Sequence, residues 1–165
     1  MNDPDRAAYA AGLAMLARRE LSEVQMRDRL ARREHSPGSI DCAVARLRDV
    51  GALDDRRVAL AAARTDAQVK SRGRARILRH LHTLGISTAT AEAAVNQVFD
   101  AVSETDLLER ALARRLRGPS ARIRDASHFR RLYQQLVRQG FSSSAVVTAL
   151  KTRAKQSAIP EDAGE

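Results

Sequence analysis

The sequence predicts an all-α protein, built as an elongated, curved array of three tandem three-helix repeats. Apolar residues recur three and four positions apart through most of the 165 residues, and no long stretch alternates apolar and polar side chains. Aromatic residues make up only 3% of the chain and Trp is absent, so the core must be built from Leu, Val, Ile and Ala. Such a core suits small, closely packed helices.

One sequence pattern occurs three times. Each copy has a basic amphipathic helix, a short turn, and a serine that can cap the helix that follows. The copies span 30–36, 81–87 and 136–142, and their final serines are 51 and 55 residues apart. Repeats of this length are typical of helical arrays, in which each unit is too small to bury a large core alone.

The repeats divide the chain into three parts. We expect residues 1–53 to form the first repeat, and 54–103 to form a long connecting helix and the second repeat. Residues 104–156 form the third. Residues 157–165 are then a disordered acidic tail, since a short polar terminus has little to pack against.

In the first repeat, we expect a helix from about Asp5 to Arg19, with Leu13 and Leu16 facing the core. Ser22 is the expected cap of the second helix. A turn over 36–39 separates it from the third helix. The remaining inward positions of this repeat are Met26, Leu30, Ile40, Val44 and Leu47.

Caps and glycines predict the later helix boundaries. Gly51 ends the third helix, Asp54 caps an Ala-rich helix, and Gly73 precedes an amphipathic one. Gly118–Ser120 breaks the helix that starts near Glu104. Ser87, Asp125 and Ser142 are the remaining expected caps, and the inward positions are Ile77, Leu81, Leu84, Val95, Val98, Phe99, Val102, Leu108, Leu112, Leu116, Leu132, Leu136, Val146 and Leu150.

Positive charge is concentrated in the second and third repeats. The whole chain has a formal net charge of +9, which favours polyanionic partners. Residues 1–69 carry 12 Lys/Arg and 11 Asp/Glu, whereas residues 70–155 carry 17 and 6. Arg72, Arg76 and Arg79 have the spacing of one outer helix face, and the candidate contacts are Arg72, Arg74, Arg76, Arg79, Arg110, Arg114, Arg117, Arg130, Arg131, Arg138, Lys151 and Arg153.

The sequence offers no clear catalytic or metal site, so we expect no enzyme activity, cofactor or metal. Asp54 and Asp55 could be a carboxylate pair, but a helix cap followed by a first-turn acid explains both. His80 and His82 are two apart and point in different directions on a helix. The single cysteine, Cys42, forms no internal disulfide, and the longest apolar run has eleven residues. Both features predict a cytoplasmic protein that does not cross a membrane.

Several of these segments, in this order and spacing, resemble the RecX family, which regulates the RecA recombinase. Val58 stands where the family usually has an aromatic residue, and the first turn lacks the usual Gly-aromatic pair. The resemblance covers nearly the whole chain and rests on Leu16–Ser22, Met26–Leu30, Gly51–Asp55, Gly73–Ile77 with Leu81, and Arg138–Ser142.

The resemblance implies a non-enzymatic regulator of recombination, DNA repair and the SOS response. Such a protein binds the RecA filament and lowers its ATPase, strand-exchange and coprotease activities. The implied partners are RecA and single- or double-stranded DNA, contacted without sequence preference by a monomer. The alternative is a sequence-independent DNA-binding helical repeat that acts without RecA.

Overall fold

A computed structural model describes residues 3–116 and 122–158 of the chain. Within these residues the regular secondary structure is helical and contains no strand, which confirms the all-α class and the tandem three-helix repeats. The predicted break at Gly118–Ser120 lies outside them, as do residues 159–165 of the predicted tail. The prediction that the tail begins at residue 157 is wrong, because residues 157 and 158 belong to the last helix. The helices are α1 Asp3–Leu16, α2 Glu23–Ala31, α3 Pro37–Asp49, α4 Asp55–Gln68, α5 Arg74–Thr83, α6 Thr88–Ala101, α7 Glu104–Arg115, α8 Ala126–Arg138 and α9 Ser143–Ala158.

The chain packs as two compact units. The first comprises Met1–Ala63 and His80–Ala94, and the second comprises Arg64–Arg79 and Val95–Glu165. Helices α4, α5 and α6 each contribute residues to both units, so the units do not coincide with the three sequence repeats. The residue bounds of those repeats stay a prediction.

The first unit is built around the packing of α1 on α3. A Cβ atom at Gly12 would lie 2.7 Å from Cδ1 of Leu47, so a larger residue here would have to displace that side chain. The prediction that Leu13 faces the core is wrong, because its side chain is 40% exposed. The buried positions of α1 are instead the small residues Ala8 and Gly12 and the larger Met15, with Leu16 half-buried beside them.

The caps expected from the sequence are present. Ser22 Oγ accepts the N–H of Gln25 at 3.2 Å, and Gln25 Oε1 accepts the N–H of Ser22 at 3.4 Å, which completes a capping box. Asp54 Oδ1 accepts the N–H of Arg56 at 2.8 Å. Ser87, Asp125 and Ser142 each accept the N–H three residues further on, at 3.3, 2.7 and 3.3 Å.

Helix α3 begins earlier than expected. The sequence predicts a turn over residues 36–39, but Ser36 is already the cap and Pro37 occupies the first helical turn. Proline is favoured there because its missing N–H would have no partner in the helix. The buried residues of α3 then include Ile40, Val44 and Leu47, as predicted.

The three turns of the sequence repeat share one backbone geometry. The N–H of Ile86 donates to Leu81 O at 3.1 Å, and that of Gly85 donates to His82 O at 2.9 Å, the two bonds of a Schellman motif. The same pair of bonds closes the turns after α2 and α8. The left-handed position is occupied by Gly85 (φ +79°), Gly140 (φ +98°) and Glu34 (φ +63°).

Glu34 therefore holds a backbone conformation that favours glycine. We expect Glu34→Gly to raise the free energy of unfolding of the full chain by about 0.5–1 kcal/mol. The gain is the removal of left-handed strain, less the extra flexibility of glycine in the unfolded chain. Urea unfolding followed by far-UV circular dichroism measures it.

The matched control is Gly51→Ala. Gly51 has φ +68°, and a Cβ there would meet nothing within 4 Å, so the substitution introduces backbone strain alone. It should lower the free energy of unfolding by about 1 kcal/mol. A loss of stability in both variants would contradict the assignment of strain to Glu34.

Candidate functional site

Five cationic side chains surround a cavity of about 320 Å³ in the second unit. They come from the link between α4 and α5, from the first turn of α5, and from the C-terminal ends of α7 and α8. Helix C-termini favour cations because their free carbonyl groups carry partial negative charge. The lining residues are Lys70, Arg72, Arg76, Arg115, Gln135, Arg138 and Gln139.

Two glycines bring the link next to the end of α8. A Cβ atom at Gly73 would lie 2.4 Å from the carbonyl carbon of Gly140, so no larger residue fits without a shift of the backbone. The N–H of Gly73 donates to Gln139 O at 3.0 Å, and the N–H of Ala75 donates to Gly140 O at 3.3 Å. These bonds fix the wall of the cavity where the cations gather.

The side chain of Gln139 connects three segments of this wall. Its Nε2 donates to the carbonyl oxygens of Lys70 at 3.1 Å and Ser71 at 2.6 Å, and its Oε1 accepts from Arg115. Arg115 also donates to Ala111 O at 2.7 Å. Burial lowers the pKa of Arg115, but guanidinium stays charged in proteins. Since both of its acceptors are neutral, its charge is not cancelled here.

Arg72 has a structural partner. The fully buried carboxylate of Asp66 lies 2.9 Å from Lys70 Nζ and 2.9 Å from Arg72 Nη1. The prediction that Arg72 lies on the outer face of the basic helix is wrong, because α5 begins at Arg74. A buried carboxylate is costly unless it is paired, which draws the link and its cations inward. Five cations and one carboxylate leave the cavity a formal charge of +4.

The remaining candidates of the link and α5 differ in what holds them. Arg76 and Arg138 are exposed, and Arg76 Nη1 donates to the carbonyl oxygen of Arg138 at 3.1 Å. Arg74 instead lies over the ring of Phe99, 4.7 Å from its centre, and donates to Asn96 Oδ1 at 3.0 Å. Arg74 is thus held by α6 and does not line the cavity.

The other predicted contacts are spread over the second unit. Arg110 donates to Asp106 O at 3.3 Å, and Arg114 donates to Val69 O at 3.2 Å. Arg79, Arg130, Arg131 and Lys151 are exposed, Arg153 is half-buried, and Arg117 lies outside the described residues. Of the twelve candidates, the cavity gathers Arg72, Arg76 and Arg138.

A second cavity, of about 460 Å³, lies in the first unit and includes Asp54 and Asp55. Asp55 accepts the N–H of Glu23 at 2.8 Å, and the Glu23 carboxylate pairs with Arg27 and Arg48 at 3.1 and 3.2 Å. Burial raises the pKa of Asp55. Each carboxylate therefore already has a partner within the fold. In the described part of the chain, no group of three or more His, Cys, Asp and Glu side chains is arranged to hold a metal ion.

Among the described residues, no helix is both long enough and apolar enough to cross a membrane.

Comparison with known proteins identifies the family. A family model described as the first three-helix domain of RecX matches residues 8–47. The regulatory protein RecX of Syntrophotalea carbinolica is 30% identical over 146 residues, which cover 87% of this chain and 94% of that protein. That of Halorhodospira halophila is 33% identical over 157 residues, covering 94% and 90%. This chain belongs to the RecX family.

Solved RecX structures share the fold. The crystal structure of RecX from Lactobacillus salivarius superposes with a TM-score of 0.75 at 21% identity, over 92% of this chain and 99% of that one. A second crystal structure, of a regulatory protein RecX, gives a TM-score of 0.79 at 23% identity, over 91% and 72%. At these identities the likeness establishes the fold of a RecX protein.

Four residues that line this cavity were missed by reasoning from the sequence: Lys70, Arg115, Gln135 and Gln139. Arg115 does not share the four-residue spacing of Arg110 and Arg114, and its side chain is half-buried. Gln139 is neutral, and a search for charged side chains passes over it. The available signal was its place beside Gly140 in one of the segments that resemble the family.

Gln139 should hold the cavity in shape. We expect Gln139→Ala to lower the free energy of unfolding by about 1–3 kcal/mol, because two carbonyl groups and Arg115 lose their partner. Gln135→Ala is the matched control, since Gln135 lines the same cavity but is exposed. Urea unfolding of both variants tests this, and equal losses would contradict it.

Arg72 and Arg79 should respond differently to charge reversal. Arg72→Glu sets a second carboxylate against buried Asp66 and should cost about 3 kcal/mol of stability. Arg79→Glu changes an exposed side chain and should stay within about 0.5 kcal/mol of the parent. Thermal and urea unfolding of the two variants compare them. Similar stabilities would show that Asp66 does not depend on Arg72.

Proposed function

We propose that this chain binds the RecA nucleoprotein filament and restrains RecA, without catalysing a reaction itself. The observation that carries the proposal is the match to relatives named regulatory protein RecX, at 30–33% identity over 87–94% of the chain. Binding lowers RecA ATPase, strand exchange and coprotease activity, and so acts on recombination and the SOS response. The protein works as a cytoplasmic monomer.

The cavity of the second unit supports this proposal through its charge. Its wall is held largely by neutral groups, namely backbone carbonyls and the Gln139 amide. The cations of Arg76, Arg115 and Arg138 are therefore available to an external polyanion. Several arginines that neutralise phosphates release counterions, so binding to DNA in the filament should weaken steeply with salt.

The contacts are expected to be independent of DNA sequence. Lys and Arg that meet phosphates position a protein without reading bases. Gln135 and Gln139 also line the cavity, but Gln139 is already committed to the link. We therefore assign the exposed cations around Arg76 and Arg138 to contact with the filament. Arg72 and Arg74 are not assigned to it, because their partners lie within the chain.

A second candidate function is DNA binding without RecA. It is favoured by the excess of 17 basic over 6 acidic residues in 70–155. Affinity for naked DNA compared with RecA-coated DNA separates the two functions. Equal or tighter binding to naked DNA, with a steep salt dependence, would favour this alternative.

The direct test follows RecA ATPase on single-stranded DNA as the full chain is added. We expect inhibition at stoichiometric amounts and co-sedimentation with the filament. Arg76→Glu/Arg138→Glu should need on the order of tenfold more protein for the same inhibition, because two charges are reversed, a net change of four units, where phosphates or acidic groups bind.

Arg122→Glu/Arg124→Glu is the control, since it makes the same change of charge at exposed positions that do not line the cavity. It should inhibit like the parent protein. If the parent protein neither inhibits nor sediments with the filament, the proposed function is wrong. If the two double variants behave alike, the cavity is not the contact.

A further inference from the structure

The first unit contains a separate cluster of arginines. The net charge of residues 1–69 is close to zero and does not reveal this cluster. A cleft of about 240 Å³ is lined by Ala14 and Met15 of α1 and by four arginines. Two of these follow α1, one lies on α2, and one lies in the turn after α2. We call this set the arginine cleft; its members are Arg18, Arg19, Arg29 and Arg33.

Several acids of the same unit pair with arginines that do not line the cleft. Glu20 pairs with Arg57 at 2.9 Å, and Glu23 pairs with Arg27 and Arg48 at 3.1 and 3.2 Å. Asp41 pairs with Arg27 as well. Some arginines of the unit are thus neutralised within the fold. The net charge of the sequence does not show which arginines these are.

The four cleft arginines have no acidic partner within 4 Å among the described residues of the chain. Asp28 and Glu34 are their neighbours in sequence, but neither lines the cleft. Three of the four are exposed, and Arg29 is half-buried. The C-terminal ends of α1 and α2 partly offset their charge, since carbonyl groups are left free there. The partial negative charge of the helix ends favours cations nearby. It does not neutralise four arginines around one cavity.

We infer that the arginine cleft binds the phosphodiester backbone of DNA. Guanidinium groups match phosphate oxygens with two parallel hydrogen bonds, and protein–DNA interfaces are far more basic than interfaces between proteins. An acidic protein partner would also need an apolar anchor point. The cleft offers none, because Ala14 is small and Met15 is only 6% exposed.

The bound strand would be contacted without sequence preference. The cleft contains no Asn or Gln to read base edges and no aromatic ring on which a base could stack. This inference deepens the proposed function, because it names the component of the RecA filament that the first unit meets. Binding to DNA alone does not require RecA, so the two proposals can fail separately.

The test uses the full chain and a fluorescent single-stranded oligonucleotide without RecA, with anisotropy measured over a series of salt concentrations. Arg19→Gln/Arg33→Gln removes two exposed cleft charges. We expect the dissociation constant at low salt to rise on the order of tenfold, and the slope of log affinity against log salt to shrink by about 1.4.

Arg6→Gln/Arg32→Gln is the matched control, since it removes two exposed positive charges that do not line the cleft. It should bind nearly as the parent does. Equal weakening in both double variants would overturn the inference, because the effect would then be one of net charge. The inference would also be overturned if the Arg19→Gln/Arg33→Gln variant kept its binding to DNA but lost binding to poly-glutamate. That result would indicate that the cleft binds an acidic protein.

Parallel RecA ATPase titrations separate the outcomes of the two proposals. If the parent protein binds the oligonucleotide through the cleft but leaves RecA ATPase unchanged, the cleft is confirmed and the proposed function fails. If RecA is inhibited while Arg19→Gln/Arg33→Gln binds the oligonucleotide as the control does, the proposed function holds and the cleft inference is wrong.

Discussion

The close approach of two backbones at Gly73 and Gly140 is the contact on which the basic cavity depends. Because neither residue has a side chain, the N–H of Gly73 reaches Gln139 O at 3.0 Å, and the link before α5 lies against the end of α8. Cations that are distant in sequence thereby share one cavity. The left-handed turn at Gly140 belongs to the repeated motif, so one local geometry both ends a helix and shapes the cavity.

Local signals predicted the fold well because their cause is local. A serine or aspartate side chain satisfies backbone groups within three residues, and the caps at Ser22, Asp54 and Asp125 could be located without knowledge of packing. The side of α1 that is buried could not be predicted in this way. Leu13 is apolar and has helical spacing, but the inward face is the one that packs against α3, and it includes Gly12.

The candidate site was less predictable, since charge counted along a sequence does not reveal pairing. Arg72 and Arg76 are four residues apart, as on one face of a helix. In the structure Arg72 neutralises a buried carboxylate, whereas Arg76 is exposed. Residues 1–69 are nearly neutral, but acids such as Glu20 and Glu23 pair with arginines outside the cleft around Arg18 and Arg29. Pairing is decided by tertiary distances, to which the spacing of charged residues is only a weak guide.

The neutral groups around Gln139 have a consequence for how this protein can change. The amide and the backbone carbonyls hold the cavity wall, while the exposed arginines at 76 and 138 contribute two of its five positive charges. Shape and charge are therefore carried by different atoms. Affinity for a polyanion can drift over generations, or be tuned by an engineer one cation at a time, without the fold being redesigned.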